Sequence, residues 1–491
     1  MGNSMKNRDL WFLLICFALG LLAEMSFFHG RIGISYPVFL IGFYTVVFVR
    51  FKYSFHHRRI GLLMMVCIWI LSANYLFYDI HFFQGMNMLF IPAFVFTHLI
   101  LITSPIPLKW GKPRFIITLF EKLVEAYIYI FSFIRDRIKN VFLKSERKTV
   151  GIVARILLGF VIAVPLLVIV IVLLMSADMM FENFIGQLPN FLSQISISTV
   201  FRIAFIVFIG LLFYGVFQVL GRKGEYPQAS LGGKFSFSSI SAVTILVLLN
   251  LVYIVFVSFQ FTYFFNGMSG KIIEGYTYAK YARQGFFELV LVLLINWTVL
   301  ISFLKFVHTE KRTLRIGLQS LYSLLIGMSG IILVSAFMRL TLYEEAYGFT
   351  LARVLAHVFM IYLLVIFAYT LIRIWLVKLP LLHFYVIVGI IFYTGINAVN
   401  VDQFIVNKNL ERYEETGKID LEYLRDLSAA GTLSLIELYE RDPEIEDLEA
   451  IIISEKKYIE YIKEDSWQSY NFTREKLKKS LLEFKVRRDE Q

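Results

Sequence analysis

Long apolar stretches separated by short polar loops run through the chain up to about residue 400. A helix rises about 1.5 Å per residue, so about 20 apolar residues cross a hydrocarbon core of roughly 30 Å. Eleven stretches reach or approach that length, at residues 10–28, 32–49, 61–77, 88–103, 151–175, 198–220, 240–264, 285–306, 316–338, 352–371 and 381–398. The pattern predicts an all-α integral membrane protein with about 11 transmembrane helices.

The loops between these stretches alternate in charge. Every even-numbered loop is basic, whereas the odd-numbered loops are poor in Lys and Arg or carry both signs. Because Lys and Arg concentrate in cytoplasmic loops, the N-terminus is predicted in the cytoplasm and, after an odd number of spans, the C-terminal tail outside it. The basic residues are Arg50, Lys52, Arg58 and Arg59; Lys109, Lys112 and Arg114; Arg222, Lys223 and Lys234; Lys305, Lys311, Arg312 and Arg315; and Arg373 and Lys378.

Residues 114–143 combine an apolar stripe with charged residues. Apolar side chains recur three or four residues apart from Ile116 to Ile138, and Glu121 and Arg135 lie off this stripe. The spacing predicts an amphipathic helix, and its basic flanks favour a place on the cytoplasmic membrane surface. The alternative is a twelfth span, because residues 126–134 are almost wholly apolar; it would break the alternation of charge in the later loops.

Composition divides the chain into two parts. The whole chain is 58% hydrophobic and 17% charged, whereas about a quarter of the residues of a soluble domain are charged. Acidic residues outnumber basic ones by 22 to 15 from Asn400 onward, and basic residues outnumber acidic ones by 33 to 15 before it. The net charge of +11 thus indicates a basic membrane domain with an acidic tail, and no nucleic-acid partner is expected.

Catalytic and metal-binding signatures are missing from the sequence. Cys16 and Cys67 lie inside apolar runs, with no Cys or His at the spacing of metal ligands. No P-loop, H-E-x-x-H or G-x-S-x-G motif is found. No cofactor and no metal site is therefore expected. The segment 23–25 does not fit a signal-peptidase site, so the first stretch is predicted to be an uncleaved span.

The acidic tail is predicted to be helical. Apolar residues are spaced three to four apart at 420–427, 433–440 and 448–462, with Gly417 and Asp442-Pro443 as breaks, and a basic last helix follows at 473–488. The predicted organisation is a four-span bundle at 1–105, a basic amphipathic helix and loop at 106–150, a seven-span core at 151–399 and a small soluble helical tail at 400–491.

Polar and charged residues gather at the predicted outer ends of the spans. One interpretation is that they form an outward-facing site for an anionic headgroup, a peptide or a saccharide. The other is that they cap helices and fasten loops, since ionisable residues at the edge of a span are far less costly than those at its centre. The candidate residues are Asp178, Glu182, Tyr278, Tyr281, Arg283, Glu288, Arg339, Tyr343, Glu344, Asn409 and Arg412.

These same segments resemble a known family. The chain is similar to the bacterial multipass membrane proteins grouped as domains of unknown function 4153 and 4173, over roughly residue 176 to the C-terminus. The resemblance implies a bacterial inner-membrane protein and supplies no activity. It is carried by Ser176-Ala177-Asp178, by Tyr278-Ala279-Lys280-Tyr281-Ala282-Arg283-Gln284-Gly285-Phe286, by Ser335-Ala336-Phe337-Met338-Arg339-Leu340, by Asn409-Leu410-Glu411-Arg412-Tyr413 and by Trp467-Gln468-Ser469-Tyr470-Asn471.

Three classes of function agree with this pattern. The first is an envelope sensor, assembly or binding protein whose site lies on the outer face, with the lipid bilayer and an envelope protein or anionic ligand as partners. The second is a transporter, which is weakened because polar residues in mid-span are few, the clearest being His98, Asn250 and Asn296. The third is an enzyme that acts on a lipid-linked substrate at the outer leaflet, using Asp178, Glu288 or Glu344 as acid or base.

Overall fold

Helices make up most of the part of the chain that the structure describes. The structure, a computed structural model, describes residues 7–51, 56–104, 108, 110–112, 114–142, 170, 174, 178, 180, 197–221, 237–267, 286–461 and 466–485. The isolated bridge between Phe237 and Val307 is the only β pairing within these ranges. The helices are α1 (Asn7–Phe27), α2 (Ser35–Phe51), α3 (Arg58–Phe77), α4 (His81–Thr103), α5 (Arg114–Phe142), α6 (Ile197–Leu220), α7 (Ser239–Gly267), α8 (Phe286–Phe306), α9 (Arg312–Tyr347), α10 (Leu351–Trp375), α11 (Leu381–Asn397), α12 (Val401–Thr416), α13 (Leu421–Leu427), α14 (Ala429–Arg441), α15 (Leu448–Tyr461) and α16 (Phe472–Glu483).

Eight of the described helices are long and apolar enough to cross a membrane: α1, α3, α4 and α6 to α10. A ninth candidate is α11 together with α12, which meet at a bend of 61°. The apolar α2 has 17 residues. All ten predicted spans in the described ranges therefore coincide with a helix, but the count of 11 is not confirmed, and the predicted span at 151–175 lies almost entirely outside those ranges.

The chain forms two compact units. The first consists of Met1–Tyr78, Gln84–Glu225 and Tyr461–Glu475. The second consists of Asp79–Phe83, Tyr226–Glu460 and Lys476–Gln491. Both units draw on the tail, because residues 461–475 belong to the first unit, whereas α12 to α15 and residues 476–491 belong to the second.

In the first unit, α1 packs along α6 through a close approach of the two backbones. A Cβ on Gly20 would lie 2.5 Å from the carbonyl oxygen of Ile206, and a Cβ on Gly210 would lie 2.6 Å from the ring of Phe17. Small residues allow such contacts between membrane helices, where van der Waals packing is a main source of association. The two glycines therefore fix where α1 and α6 cross.

The predicted amphipathic helix is present as α5, which packs along α6. Ala126 is fully buried in this contact, whereas Ile116, Phe120 and Tyr127 are exposed. The first part of the stripe is thus exposed, whereas Ile130 of the same stripe packs against Gly215 of α6. The position of α5 on the cytoplasmic surface stays a prediction.

The second unit has two apolar cores. One joins α7, α8 and α10 to the central α9. The other lies inside the tail, where α12 to α15 and the end of α16 bury side chains such as Leu435 and Ile452. The helical tail predicted from the sequence is confirmed, and its breaks fall at Gly417, with φ of 67°, and at Asp442.

Candidate functional site

The C-terminal end of α9 extends beyond the apolar part of the helix. With 36 residues, α9 is about 54 Å long, which exceeds a hydrocarbon core of roughly 30 Å. Tyr343 and Glu344 lie in its last turn, and Gly348 ends it with a φ of 85°. Several of the predicted site residues meet around this end.

Arg412 of α12 caps α9. Its Nε donates to the carbonyl oxygen of Glu345 at 3.0 Å, and one Nη donates to that of Ala346 at 2.8 Å. The other Nη donates to the carbonyl oxygen of Lys418 at 3.1 Å. The last carbonyl groups of a helix have no partner within it, so the guanidinium supplies hydrogen-bond donors to the free carbonyl groups at the end of α9. Arg412 therefore anchors the tail to the end of α9 by hydrogen bonds.

Two further tail residues hold the turn between α9 and α10. The Asn409 side chain accepts from the Phe349 amide at 2.8 Å and donates to the Phe349 carbonyl oxygen at 2.9 Å. The Leu351 amide donates to the Tyr423 hydroxyl at 2.8 Å. A Cβ on Gly348 would lie 2.6 Å from Asn409 Oδ1. The turn thus requires glycine both for its backbone angle and for this contact.

A buried acid and a histidine lie beside this fastened turn. Glu344 is 2% exposed, and its Oε2 lies 3.6 Å from Nδ1 of His357 on α10. The His357 ring stacks on Phe337 with 4.3 Å between centroids. Glu344 Oε1 and His357 Nε2 are buried and form no hydrogen bond with the described part of the chain. A buried polar atom without a partner costs about 1–3 kcal/mol, so a ligand that binds these atoms gains that energy.

Arg353 completes the group. Its guanidinium lies over the Tyr343 ring, 4.2 Å from the centroid, and donates to the carbonyl oxygen of Gly348. The positive charge of Arg353 also favours the ionised form of the Glu344 carboxyl. Arg353 and His357 were not among the predicted site residues, although both lie in the predicted span 352–371. A charged residue inside a predicted span is the signal that could have identified them.

A second buried acid, Asp402, lies at the start of α12. It is 1% exposed, and burial raises the pKa of its carboxyl to about 6. The Ser428 hydroxyl lowers this pKa and the nearby Asp79 carboxylate raises it. The favourable position at a helix N-terminus does not offset burial. Asp402 and Asp79 were not among the predicted site residues.

The remaining predicted residues are separate from this group or outside the described ranges. Arg339 binds Gln260 of α7, with 3.3 Å between Nη2 and Oε1, and Ser335 binds the same oxygen at 2.9 Å. Glu288 is exposed in the first turn of α8, and Asp178 belongs to the first unit. The residues outside the described ranges are Glu182, Tyr278, Tyr281 and Arg283.

In the first unit, the tail segment 466–474 binds the ends of α1 to α3. Asn471 donates to the carbonyl oxygens of Tyr75 at 2.8 Å and Tyr78 at 2.9 Å. Arg474 donates to the carbonyl oxygen of Ile32, and Thr473 to that of Phe77. These carbonyl groups lie at or just beyond helix ends, where they lack helical partners. All these ends border odd-numbered loops, as does the turn held by Arg412.

Comparison with known proteins gives one match. The sequence model of a family described as a domain of unknown function, DUF4153, matches residues 65–438, about three quarters of the chain. The match confirms the resemblance to that family. It includes α4 and most of α3, where no motif was identified, and it ends within α14, before the segment 467–471. No curated protein and no solved structure is significantly similar to the chain.

Proposed function

This chain belongs to the DUF4153 family, and we propose that it is an envelope sensor or binding protein of the bacterial cell membrane, with its specific site on the outer face. The observation that carries the proposal is the buried pair of Glu344 and His357. Each has one polar atom without a partner in the described part of the chain, and both lie beside a turn that the tail holds.

The chemistry of this group suits a small polar ligand. Glu344 Oε1 accepts hydrogen bonds, and His357 Nε2 accepts or donates according to its tautomer. Arg353 adds positive charge beside them. A ligand with a hydroxyl or amino group next to an anionic group therefore finds a partner for each of its polar parts.

The contacts of the tail provide a way to report such binding. The residues that the tail holds, 345–351, lie between Glu344 and Arg353 in the chain. A ligand that changes the hydrogen bonds of Glu344 shifts the equilibrium between two conformations of the turn. The size of the shift is set by how much more tightly the ligand binds one conformation than the other. The hydrogen bonds between the tail and the turn are then weakened or strengthened.

The alternatives have less support. A transporter needs polar groups that face a path across the bilayer, yet central polar groups of α7, α8 and α9 bind each other. The Tyr253 hydroxyl donates to Asn296 at 2.7 Å, and Asn296 donates to Ser329 at 2.9 Å. An outer-leaflet enzyme would use Glu344 as the acid or base, and it shares the site proposed here.

A topology reporter tests the outer-face part of the proposal. A fusion after Gln491 to an enzyme active only outside the cytoplasm is expected to be active, and a fusion within the basic loop after α8 is expected to be inactive. An inactive fusion after Gln491 contradicts the proposal, because the tail and the site beside it would then face inward.

Hydrogen exchange tests the coupling between site and tail. Glu344→Gln keeps the size of the side chain and removes its charge, so amides of α12 and α13 are expected to exchange several-fold faster in nanodiscs. Glu288→Gln, an exposed carboxylate in the same unit, is the matched control and is expected to leave them unchanged. Equal exchange of α12 and α13 in wild type and Glu344→Gln shows that the site does not act on the tail, and the sensor proposal is then abandoned.

A further inference from the structure

The first unit contains a partly open cavity of about 640 Å³ between α1, α2, α4, α5 and α6. This volume falls within the range of about 300–1,000 Å³ that is usual for ligand sites. Among the described residues of its lining, Tyr36 and Thr97 are the polar ones, and the Thr97 hydroxyl donates to the carbonyl oxygen of Ala93 at 2.8 Å. Water in such a space finds too few partners, so this lining favours an apolar occupant.

The length of the cavity matches one leaflet. Its lining on α6 extends from Phe205 to Phe217, which at 1.5 Å per residue is about 18 Å. Half of a hydrocarbon core of roughly 30 Å is about 15 Å. The cavity therefore has the length of one acyl chain in one leaflet.

Aromatic rings line the cavity at the end nearer the basic loops. There the Phe43 ring lies 5.2 Å from the Phe213 ring and 5.7 Å from the Phe217 ring. Leu119 and Leu123 of α5 also line the cavity. At the opposite end the lining residues Phe27 and Tyr36 lie beside the α1–α2 turn.

A cation lies at that opposite end. Arg202 is one turn before Phe205 on the same face of α6, and its side chain is 38% exposed. Its Nε lies 3.6 Å from Oε1 of the buried Glu24, which His29 also approaches at 3.1 Å. Within the described ranges Arg202 has no other charged partner.

We propose that this cavity binds one acyl chain of a phospholipid with an anionic headgroup, whose phosphate group lies on Arg202. Arg202 is a costly residue so close to the apolar part of a span, and a phosphate group is the partner that a guanidinium recognises best. The proposal concerns the first unit alone and does not depend on the function proposed for Glu344 and His357.

The test uses the full chain in phosphatidylcholine nanodiscs that contain phosphatidylglycerol with a photoreactive acyl chain. Labelled peptides are expected from the cavity lining of α2, α4 and α6. Unlabelled phosphatidylglycerol is expected to compete roughly tenfold better than phosphatidylcholine, which is the scale of one charge-assisted hydrogen bond. Labelling outside the cavity, or equal competition by both lipids, overturns the proposal.

Variants separate the headgroup from the chain. Arg202→Gln is expected to remove the preference for phosphatidylglycerol, whereas Arg202→Lys keeps much of it and shows that the fold is intact. Ala93→Phe fills the cavity and is expected to lower labelling, with Val66→Phe on the exposed face of α3 as its control. Arg312→Gln, an exposed cation of the second unit, is the charge control. A preference that survives Arg202→Gln, or labelling that survives Ala93→Phe, contradicts the assignment.

Discussion

The side-chain amide of Asn409 forms two hydrogen bonds with the backbone of Phe349, one in each direction. The two residues are 60 positions apart, and Asn409 is 8% exposed. The side-chain amide thus pairs with both backbone polar groups of Phe349. It joins the tail to the membrane domain at the turn next to Glu344 and Arg353.

Asn409→Asp is expected to weaken this junction. A carboxylate still accepts from the Phe349 amide but repels its carbonyl oxygen, so the free energy of unfolding should fall by about 1–3 kcal/mol. Chemical unfolding in detergent measures it. Asn407→Asp on the exposed side of α12 is the control and should have little effect; an equal loss from both variants would show that added charge, and not the lost donor, is the cause.

Gly348→Ala is expected to destabilise the same turn. The backbone there has a φ of 85°, and the added Cβ would lie 2.6 Å from Asn409 Oδ1. Strain of this kind costs about 1–3 kcal/mol. Gly317→Ala, on an open face of α9, should be neutral or mildly stabilising because alanine favours helix. Thermal unfolding of the two variants side by side distinguishes them, and equal melting temperatures would refute the account of the turn.

Arg412→Lys is expected to loosen the tail despite the retained charge. An ammonium group cannot reach the carbonyl oxygens of Glu345, Ala346 and Lys418 in the fork geometry of a guanidinium. Limited proteolysis should therefore cut the turn after α9 several-fold faster. Arg425→Lys, an exposed arginine that binds only the carboxylates of Glu422 and Asp426 in the described ranges, is expected to leave the pattern unchanged. Identical cleavage rates in wild type and Arg412→Lys would argue against a fastening role.

Asp402 makes the stability of the tail depend on pH. Burial raises the pKa of its carboxyl from 3.8 to about 6, so the folded state binds more protons than the unfolded state between these values. Stability is therefore expected to be highest near pH 4 and to fall as the pH rises to about 6, by up to about 3 kcal/mol. Above pH 6 this contribution is constant.

Asp402→Asn checks that assignment. The amide cannot ionise, so the fall between pH 4 and 6 should disappear and the variant should exceed wild type in stability at pH 7 to 8. Chemical unfolding of both proteins across this range measures the difference, and Asp426→Asn serves as an exposed control. A variant that is less stable than wild type at pH 8 would mean that the ionised carboxylate stabilises the folded state, which contradicts this account.

The sequence predicts the helices of this protein better than their ends. Hydropathy places a span at 316–338, yet α9 continues to Tyr347. The polar residues after Met338 continue the helix because leaving the hydrocarbon does not by itself end helical hydrogen bonding. Hydropathy reports where a helix leaves lipid, whereas Gly348 decides where it stops.

The site was predicted only in part, for a physical reason. The polar residues at the span ends include Glu344, Asn409 and Arg412. However, Arg412 and Asn409 bind backbone groups about 60 positions away, and no pattern of residue types reveals such partners. His357 and Arg353 lie in an apolar stretch whose mean hydropathy stays high despite these two residues. Their importance becomes visible only when α10 packs against α9.

The hydrogen bonds of Asn471 with Tyr75 and Tyr78 also bear on how the protein is made, because 396 and 393 residues separate the partners. At about 5–20 residues per second, a ribosome needs roughly 20–80 s to pass from one to the other. During that interval α1 to α3 are in the membrane while the carbonyl groups at their ends await the segment 466–474. The ends of the earliest helices thus gain these partners only after residue 471 has been made, so that a chain broken off before residue 466 leaves the carbonyl groups of Tyr75 and Tyr78 without Asn471.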